Sequence, residues 1–145
     1  MSERVFGSIP GVPVGKIYNN RLELSHAGVH RPPQAGICGT GAHGAESIVL
    51  SGGYEDDIDS GDIIIYTGQG GNDPFTKTQI ADQELTRGNL ALAVSEHKGN
   101  PVRVVRRVGG KFQYGGLYRV VDHWSEKGRA GFLIWRFKLV RIEGR

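Results

Sequence analysis

The sequence predicts an α+β protein: a curved, mostly antiparallel β-sheet or barrel with one or two helices packed on it. Three observations carry that expectation. Glycine supplies 23 of the 145 residues, well above the ~7% of average usage. These glycines are aperiodic and punctuate short apolar runs, as turns do in sheet proteins. The run FLIWRFKLVRI at Phe132–Ile142 alternates, with Leu133, Trp135, Phe137 and Leu139 forming an apolar parity that ends at Arg141, the pattern of a half-buried strand. A chain of this length is expected to form one domain, residues 1–145, with a core that needs no disulfide or metal.

The elements follow in order. Arg21–Leu24, Ser47–Leu50, Asp62–Thr67, Val102–Arg107, Leu117–His123 and Gly131–Ile142 read as strands. One segment reads as helix. Thr86 is placed to cap it, Leu85, Asn89, Leu90, Ala93, Val94 and His97 share one side, and Gly99 with Pro101 ends it. Gly88 is a weak helix former within it. Ala27–Glu46, with two prolines and five glycines, and Asn72–Ala81 read as exposed loops.

Charge narrows the function classes. The net charge is +3, a mild excess that by itself favours a nucleic-acid partner only slightly. Its distribution says more. Basic residues cluster in the first 50 positions and from Lys98 onward, whereas five of the 15 acids (Glu55, Asp56, Asp57, Asp59, Asp62) fall within eight residues. A basic frame around an acidic centre suits a polyanion whose backbone meets the frame while something neutral enters the centre. Cys38 is the single cysteine, which excludes an internal disulfide and a multi-cysteine zinc site. No apolar run approaches ~18 residues, and MSERVFGSIP lacks the plan of a signal peptide. A soluble intracellular protein with no membrane partner is the expectation.

Familiar chemical motifs fail on inspection. Gly68, Gly70 and Gly71 are followed by Asp73 and Pro74, not by the third glycine and helix of a dinucleotide fingerprint. Asp57, Asp59 and Asp62 place Gly61 and Asp62 where a calcium loop needs a ligand and then a glycine. His26 and His30 lack the intervening glutamate of a zinc protease and a third ligand. Asp56 and Asp57 are adjacent, so extended backbone points them apart, which disfavours paired-carboxylate catalysis. No catalytic residue, metal or cofactor is expected.

The stretch SGGYEDDIDSGDIIIYTGQGG at Ser51–Gly71 reads as a pocket or, more simply, as a solvated acidic turn between two strands. The simpler reading leaves its two tyrosines and glycine doublets unexplained. Two aromatic rings can sandwich a planar heterocycle. A carboxylate beside them accepts hydrogen bonds and donates none. Cytosine presents an amino donor where thymine presents an acceptor, and glycines admit backbone groups close to a base. Such a pocket fits cytosine, which has to leave the duplex stack to enter it.

Ordered motifs along the chain extend this reading. FGSIPGVPVG at Phe6–Gly15, AGVHRP at Ala27–Pro32, GGYEDD at Gly52–Asp57, YTGQGG at Tyr66–Gly71, PVRVVR at Pro101–Arg106 and GFLIWRF at Gly131–Phe137 resemble the SRA (SET- and RING-associated, or YDG) domain, a PUA-like fold. The resemblance implies a reader that binds duplex DNA carrying 5-methylcytosine or a related modified cytosine and flips that base into a pocket. It implies that Tyr54 and Tyr66 stack on the base, that Asp57 accepts from its amino group, and that backbone at Ser51, Gly52, Gly53 and Thr67 completes the edge. Gln69 then lies near the methyl group. Two loops are implied to contact DNA: one with His30, Arg31 and Gln34, where Gln34 fills the vacated place, and one with Asn72, Lys77 and Gln79. The Asn-Lys-Arg finger of the animal hemimethylation readers is missing, and so is the long insert that eukaryotic readers carry before the counterpart of Pro101. The chain is more similar to the SRA modules of prokaryotic modification-dependent restriction proteins, where an HNH nuclease commonly follows.

Three functional classes remain open at this point: a non-enzymatic reader, the targeting domain of a modification-dependent endonuclease whose catalytic module is fused or associated, and a base-modifying activity. The last has no nucleophile or metal in the motif set. The expected location is cytoplasmic and nucleoid-associated for a prokaryotic source, nuclear for a eukaryotic one.

Overall fold

The computed structural model describes residues 4–51, 55–76 and 78–142. Ten elements follow one another: β1 (Ile17–Tyr18), α1 (Arg21–His26), β2 (Ile37–Thr40), β3 (Gly44–Leu50), β4 (Ile58–Asp59), β5 (Ile63–Thr67), α2 (Arg87–Lys98), β6 (Pro101–Val108), β7 (Lys111–Lys127) and β8 (Leu133–Arg141). All strands join one sheet in the order β2-β3-β6-β7-β8-β5-β4, with β1 also paired to β7. Every pairing is antiparallel except β3 with β6. The expected curved, mostly antiparallel sheet with two helices is therefore present, as an open path with β2 and β4 at its ends.

The parallel pair has a physical reason. β3 is buried at all seven positions. Ile48 and Leu50 point into the core under α2, while Val49 points into a second core with Leu24, Val29, Val105 and Phe112 beneath α1. A strand covered on both faces reads as a continuous apolar run. The connection from β3 to β6 is long and carries β4, β5 and α2, as a parallel crossover requires.

Curvature brings distant strands together. The register of β6 on β7 shifts between Val104 and Val105, and that of β7 on β8 between Val120 and Asp122; bulges of this kind bend a strand and increase its twist. As a result Tyr66 of β5 reaches the Val49 carbonyl of β3, although β6, β7 and β8 lie between them in the sheet order. Arg106 of β6 likewise forms a two-point ion pair with Asp59 of β4 at 2.6 and 2.9 Å.

Three sequence expectations need correction. Arg21–Leu24 is helical, not a strand. Asn20 caps it by accepting from Glu23 N at 2.9 Å, and the Glu23 carboxylate reaches back to Asn19 N. This reciprocal capping outweighs the weak β pattern of RLEL. The loop expected over Ala27–Glu46 contains β2 and the start of β3. In α2, Thr86 occupies the cap position but its side chain makes no capping bond. Gly88 is explained by packing: a Cβ there would lie 3.0 Å from Ile37.

Arg103 on β6 is fully buried. Its guanidinium donates to the carbonyls of Val29 (2.9 Å), Val5 (2.7 Å), Gly7 (2.9 Å) and Gly28 (3.4 Å). It thereby ties the N-terminal segment and the loop after α1 to the central sheet. Nearby Glu46, also fully buried, binds Arg4 at 2.9 Å and Arg31 at 2.7 Å. Removing a buried partner leaves carbonyls desolvated and unpaired. Arg103→Met is expected to destabilise the fold by about 3 kcal/mol or more, a fall in Tm of roughly 10 °C for a domain of this size, read by thermal unfolding.

Candidate nucleic-acid interface

A cavity of about 140 Å³ opens between the ends of β3 and β5 and two loops. Val49 and Ser51 come from the β3 end, Tyr66 and Thr67 from the β5 end, Gln69 from the turn beyond, and Gln34 and Gly36 from the loop before β2. For scale, a cavity of about 150 Å³ admits one benzene ring.

Each wall is braced. The Tyr66 ring is 3% exposed, and its hydroxyl, 3.3 Å from both the Gly36 and Val49 carbonyls, donates between them. A Cβ at Gly36 would stand 3.1 Å from that hydroxyl, a tight contact. The turn after β5 is pinned by two side-chain amides. Asn89 of α2 accepts from Gln69 N and donates to Gln69 O, both at 2.9 Å. Gln83 donates to Gly68 O at 2.8 Å while accepting from Trp135 N at 2.9 Å. On the opposite wall Arg21 donates to the carbonyls of Pro32 (2.9 Å), Ala35 (2.6 Å) and Gln34 (3.4 Å).

Asp57 lies behind Thr67, which lines the cavity. Its Oδ1 accepts from Thr67 N at 2.6 Å, while Oδ2 is buried with no hydrogen-bond partner among the described residues. The Thr67 hydroxyl is also buried without a well-aligned partner. Burial pushes the Asp57 carboxyl above its ordinary value, opposed by the Thr67 side chain and amide and by Arg136. Arg136 is 7% exposed and donates to the Asp56 carbonyl at 2.7 Å, so it holds the acidic turn beside β8. A buried carboxylate oxygen without a donor leaves an acceptor position open.

The structure sorts the expected site residues. Ser51, Tyr66, Thr67, Gln69 and Gln34 line one cavity with Asp57 behind it. The Thr67 N–H is already taken by Asp57, which removes it from the groups offered to a base. Gln34 is exposed at the rim. Gly52, Gly53, Tyr54 and Lys77 lie outside the described residues.

His30 is buried and Arg31 is half-buried, and both are engaged by protein partners. His30 is fully buried, with Nε2 donating to Ala35 O at 2.8 Å and Nδ1 accepting from the Ser47 hydroxyl at 2.7 Å. It supports the Gln34 loop from inside. The Arg31 guanidinium is engaged by the buried carboxylate of Glu46. Asn72 is exposed and pairs with Gln79 across its loop, but the Gln79 amide donates to Ala81 O (3.0 Å) and Leu133 O (3.1 Å) and serves as an anchor.

The basic frame is thinner than the sequence implied, because Arg103, Arg106 and Arg136 are engaged within the protein. Arg21, Asn89 and Arg136 are functional supports that the sequence reading missed. Only Arg21 left a signal, in the Asn19–Asn20 capping pair before it. Among the described residues no cluster suited to a metal ion occurs, and no helix is long and apolar enough to cross a membrane.

A curved sheet that closes a one-ring cavity between two braced loops defines a small-ligand or base-receiving module. The sequence profile of the SAD/SRA domain matches residues 5–145, and the chain belongs to that family. It is similar to the E3 ubiquitin-protein ligase UHRF1 of Rattus norvegicus, with 46% identity over 94% of this chain and 21% of that protein. Among solved structures, the modification-dependent TagI restriction endonuclease aligns with TM-score 0.95 and 48% identity over 99% of this chain and 54% of that one. The SRA domain of SUVH5 bound to fully hydroxymethylated CG DNA aligns with TM-score 0.89 and 46% identity over 98% and 97% of the two chains. This chain thus spans about a fifth of the curated relative and about half of the endonuclease.

Two pH dependences follow. Burial lowers the His30 pKa from 6.5 to about 4, so the folded state binds fewer protons than the unfolded chain. The His30 contribution is complete above pH 6.5 and is lost as pH falls toward about 4, a loss of about 3 kcal/mol. His30→Gln, which cannot titrate, is expected to flatten that slope in urea unfolding at pH 7 and 4.5.

Asp57 has the opposite sign. Its folded pKa is raised, so its stability contribution is present below the unfolded carboxylate range and is lost as pH rises through the folded value. Asp57→Asn is expected to raise Tm at pH 7, with the gain shrinking on acidification.

Proposed function

We propose that this chain binds duplex DNA containing 5-methylcytosine, or a related C5-modified cytosine, and receives the flipped base in the cavity between β3 and β5. The carrying observation is the buried Oδ2 of Asp57, which has no hydrogen-bond partner among the described residues. The amino group of cytosine supplies the donor that this oxygen lacks, whereas thymine brings an acceptor. Tyr66 forms one face of the site, and Tyr54 is assigned the other from the sequence. Gln69 sits where substituents at C5 are met, and Gln34 at the rim fills the gap left in the duplex. The reading is supported by the SUVH5 SRA structures with methylated and hydroxymethylated DNA and by KRYPTONITE in complex with mCHH DNA, 37% identical with TM-score 0.91.

A second reading is favoured by one finding: the similarity to TagI extends over 99% of this chain but 54% of that endonuclease. On this reading the chain is the targeting part of a modification-dependent endonuclease of the SRA-HNH type, with a nuclease module fused or associated. A prokaryotic restriction role and a nucleoid location belong to it. The curated relatives from Rattus norvegicus and Arabidopsis thaliana, a ubiquitin-protein ligase and a histone-lysine methyltransferase family member, favour the broader reading of a module not confined to restriction. Cleavage of methylated duplex by the purified chain with divalent metal would refute a reader that lacks catalysis.

The test is a binding panel over unmodified, hemimodified and fully modified duplexes at one stated salt concentration. The wild-type chain is expected to prefer modified duplex. Asp57→Asn is expected to lose that preference by roughly 1.5–3 kcal/mol, because an amide donor would face the cytosine amino group. Full discrimination by a folded Asp57→Asn protein would remove Asp57 from base recognition. Gln34→Gly is expected to weaken binding to a paired modified site, and to matter much less opposite an abasic position, where extrusion is already cheap.

A further inference from the structure

The loop that carries Gln34 is held through its carbonyls. From α1, Arg21 donates to Pro32 O at 2.9 Å, Ala35 O at 2.6 Å and Gln34 O at 3.4 Å. His30 Nε2 donates to the same Ala35 O at 2.8 Å. Gly36 O receives Val49 N at 2.8 Å and, at 3.3 Å, the hydroxyl of Tyr66. The last of these contacts differs from the others. It comes from β5, from a residue whose ring is assigned to the flipped base, and it reaches the loop two residues from Gln34.

The hydroxyl is also divided. A phenol carries one hydrogen, and here two carbonyls stand at the same 3.3 Å, Gly36 O on the loop and Val49 O on β3. Both distances exceed the ~2.7–2.8 Å of a well-formed O–H···O bond, so a small displacement of the loop strengthens one bond at the expense of the other. The ring is the fixed partner. It is 3% exposed, packs with the core under α2, and stands opposite Phe137 in the pairing of β5 with β8. Gly36 brings no side chain between them; a Cβ there would crowd the hydroxyl oxygen at 3.1 Å.

We propose that the Tyr66 hydroxyl couples the two halves of base extrusion: the side chain that meets the flipped base with its ring also sets, through Gly36, where Gln34 stands in the vacated place. The inference rests on the base-flipping reading above and on Gln34 as the residue that fills the gap. It gives Tyr66 a positioning role that stacking does not require, because a phenylalanine ring also stacks. On a paired site the duplex keeps an orphan guanine, and Gln34 has to be in register with it to recover part of the extrusion cost. A loop no longer referred to Tyr66 lets that contact slip while the base still enters the cavity.

The experiment measures the affinity of wild type, Tyr66→Phe, Gln34→Gly and the double variant for three duplexes: one with a central 5-methylcytosine paired with guanine, one with it opposite an abasic position, and one unmodified. Thermal unfolding checks that each variant is folded at the assay temperature. Tyr66→Phe is expected to lose roughly fivefold on the paired modified duplex, the worth of about one neutral hydrogen bond, and to change little opposite the abasic position. In the Gln34→Gly background the same change is expected to cost nothing further on the paired duplex, since no side chain is left to position. Gly36→Ala, which crowds the hydroxyl from the loop side and keeps the phenol, is expected to show the same selectivity, and it decides the matter should Tyr66→Phe fail to fold. Equal losses on the two modified duplexes, losses that multiply in the double variant, or wild-type affinity of Tyr66→Phe for the paired duplex would each overturn the coupling. A wild-type chain that does not discriminate modified from unmodified duplex would overturn the flipping reading and the coupling with it. A wild type that discriminates, with Gln34→Gly losing equally on both modified duplexes, would overturn the coupling alone.

Discussion

The Arg103 guanidinium fixes where everything on the cavity's outer rim can be. It is a fully buried cation whose N–H groups end on backbone carbonyls of two segments, residues 5–7 and 28–29. A loop over a sheet cannot bury its carbonyls without partners. Arg103 supplies them from β6, which lies between β3 and β7. The loop that follows is then positioned in turn by His30, Arg21 and the Arg31–Glu46 pair. Gln34 reaches the cavity because of this succession of buried polar contacts. A buried ion is weak evidence of stability; here its value is geometric, since it converts a loop into a wall.

The same logic holds across the cavity with the opposite energetic sign. Asp57 has one oxygen satisfied and one left buried and unpaired, an arrangement that disfavours its own ionised form. The ligand-free fold keeps this acid at some expense in stability because Arg136 and Thr67 hold the turn from two sides. On the proposed reading, a base that brings a donor to this oxygen offsets that expense. Binding sites and maximal stability are commonly at odds for this reason.

Strands with a clear period, such as β8, and the acidic stretch around Asp57 were legible in the sequence because hydrophobic alternation and charge clustering are local properties. α1 was not, since four residues of RLEL fit either period and the deciding capping bonds come from Asn19, Asn20 and Glu23. His30 and Arg31 looked like surface residues because they sit among prolines. Their inward contacts go to Ser47 and Glu46, more than ten residues away. Gln79, Gln83, Asn89 and Arg136 are polar residues whose work is to hold backbone from other elements. Nothing in a single sequence distinguishes such residues from solvated ones, because the pairing partner is set by the curvature of the sheet.

Gly71 closes the 72–81 loop on itself. Its carbonyl receives the N–H groups of both Ile80 and Ala81, and a Cβ at this position would stand 2.2 Å from the Ala81 oxygen. The chain therefore leaves and re-enters the body of the protein at almost the same point. What lies between can be lengthened, shortened or exchanged without moving Gln69 or Gln83. Loop closure is a slowly growing function of length, with each doubling costing only about 0.6 kcal/mol. The glycine acts as a socket, so the inserted segment can diversify while the cavity wall at Gln69 stays constant.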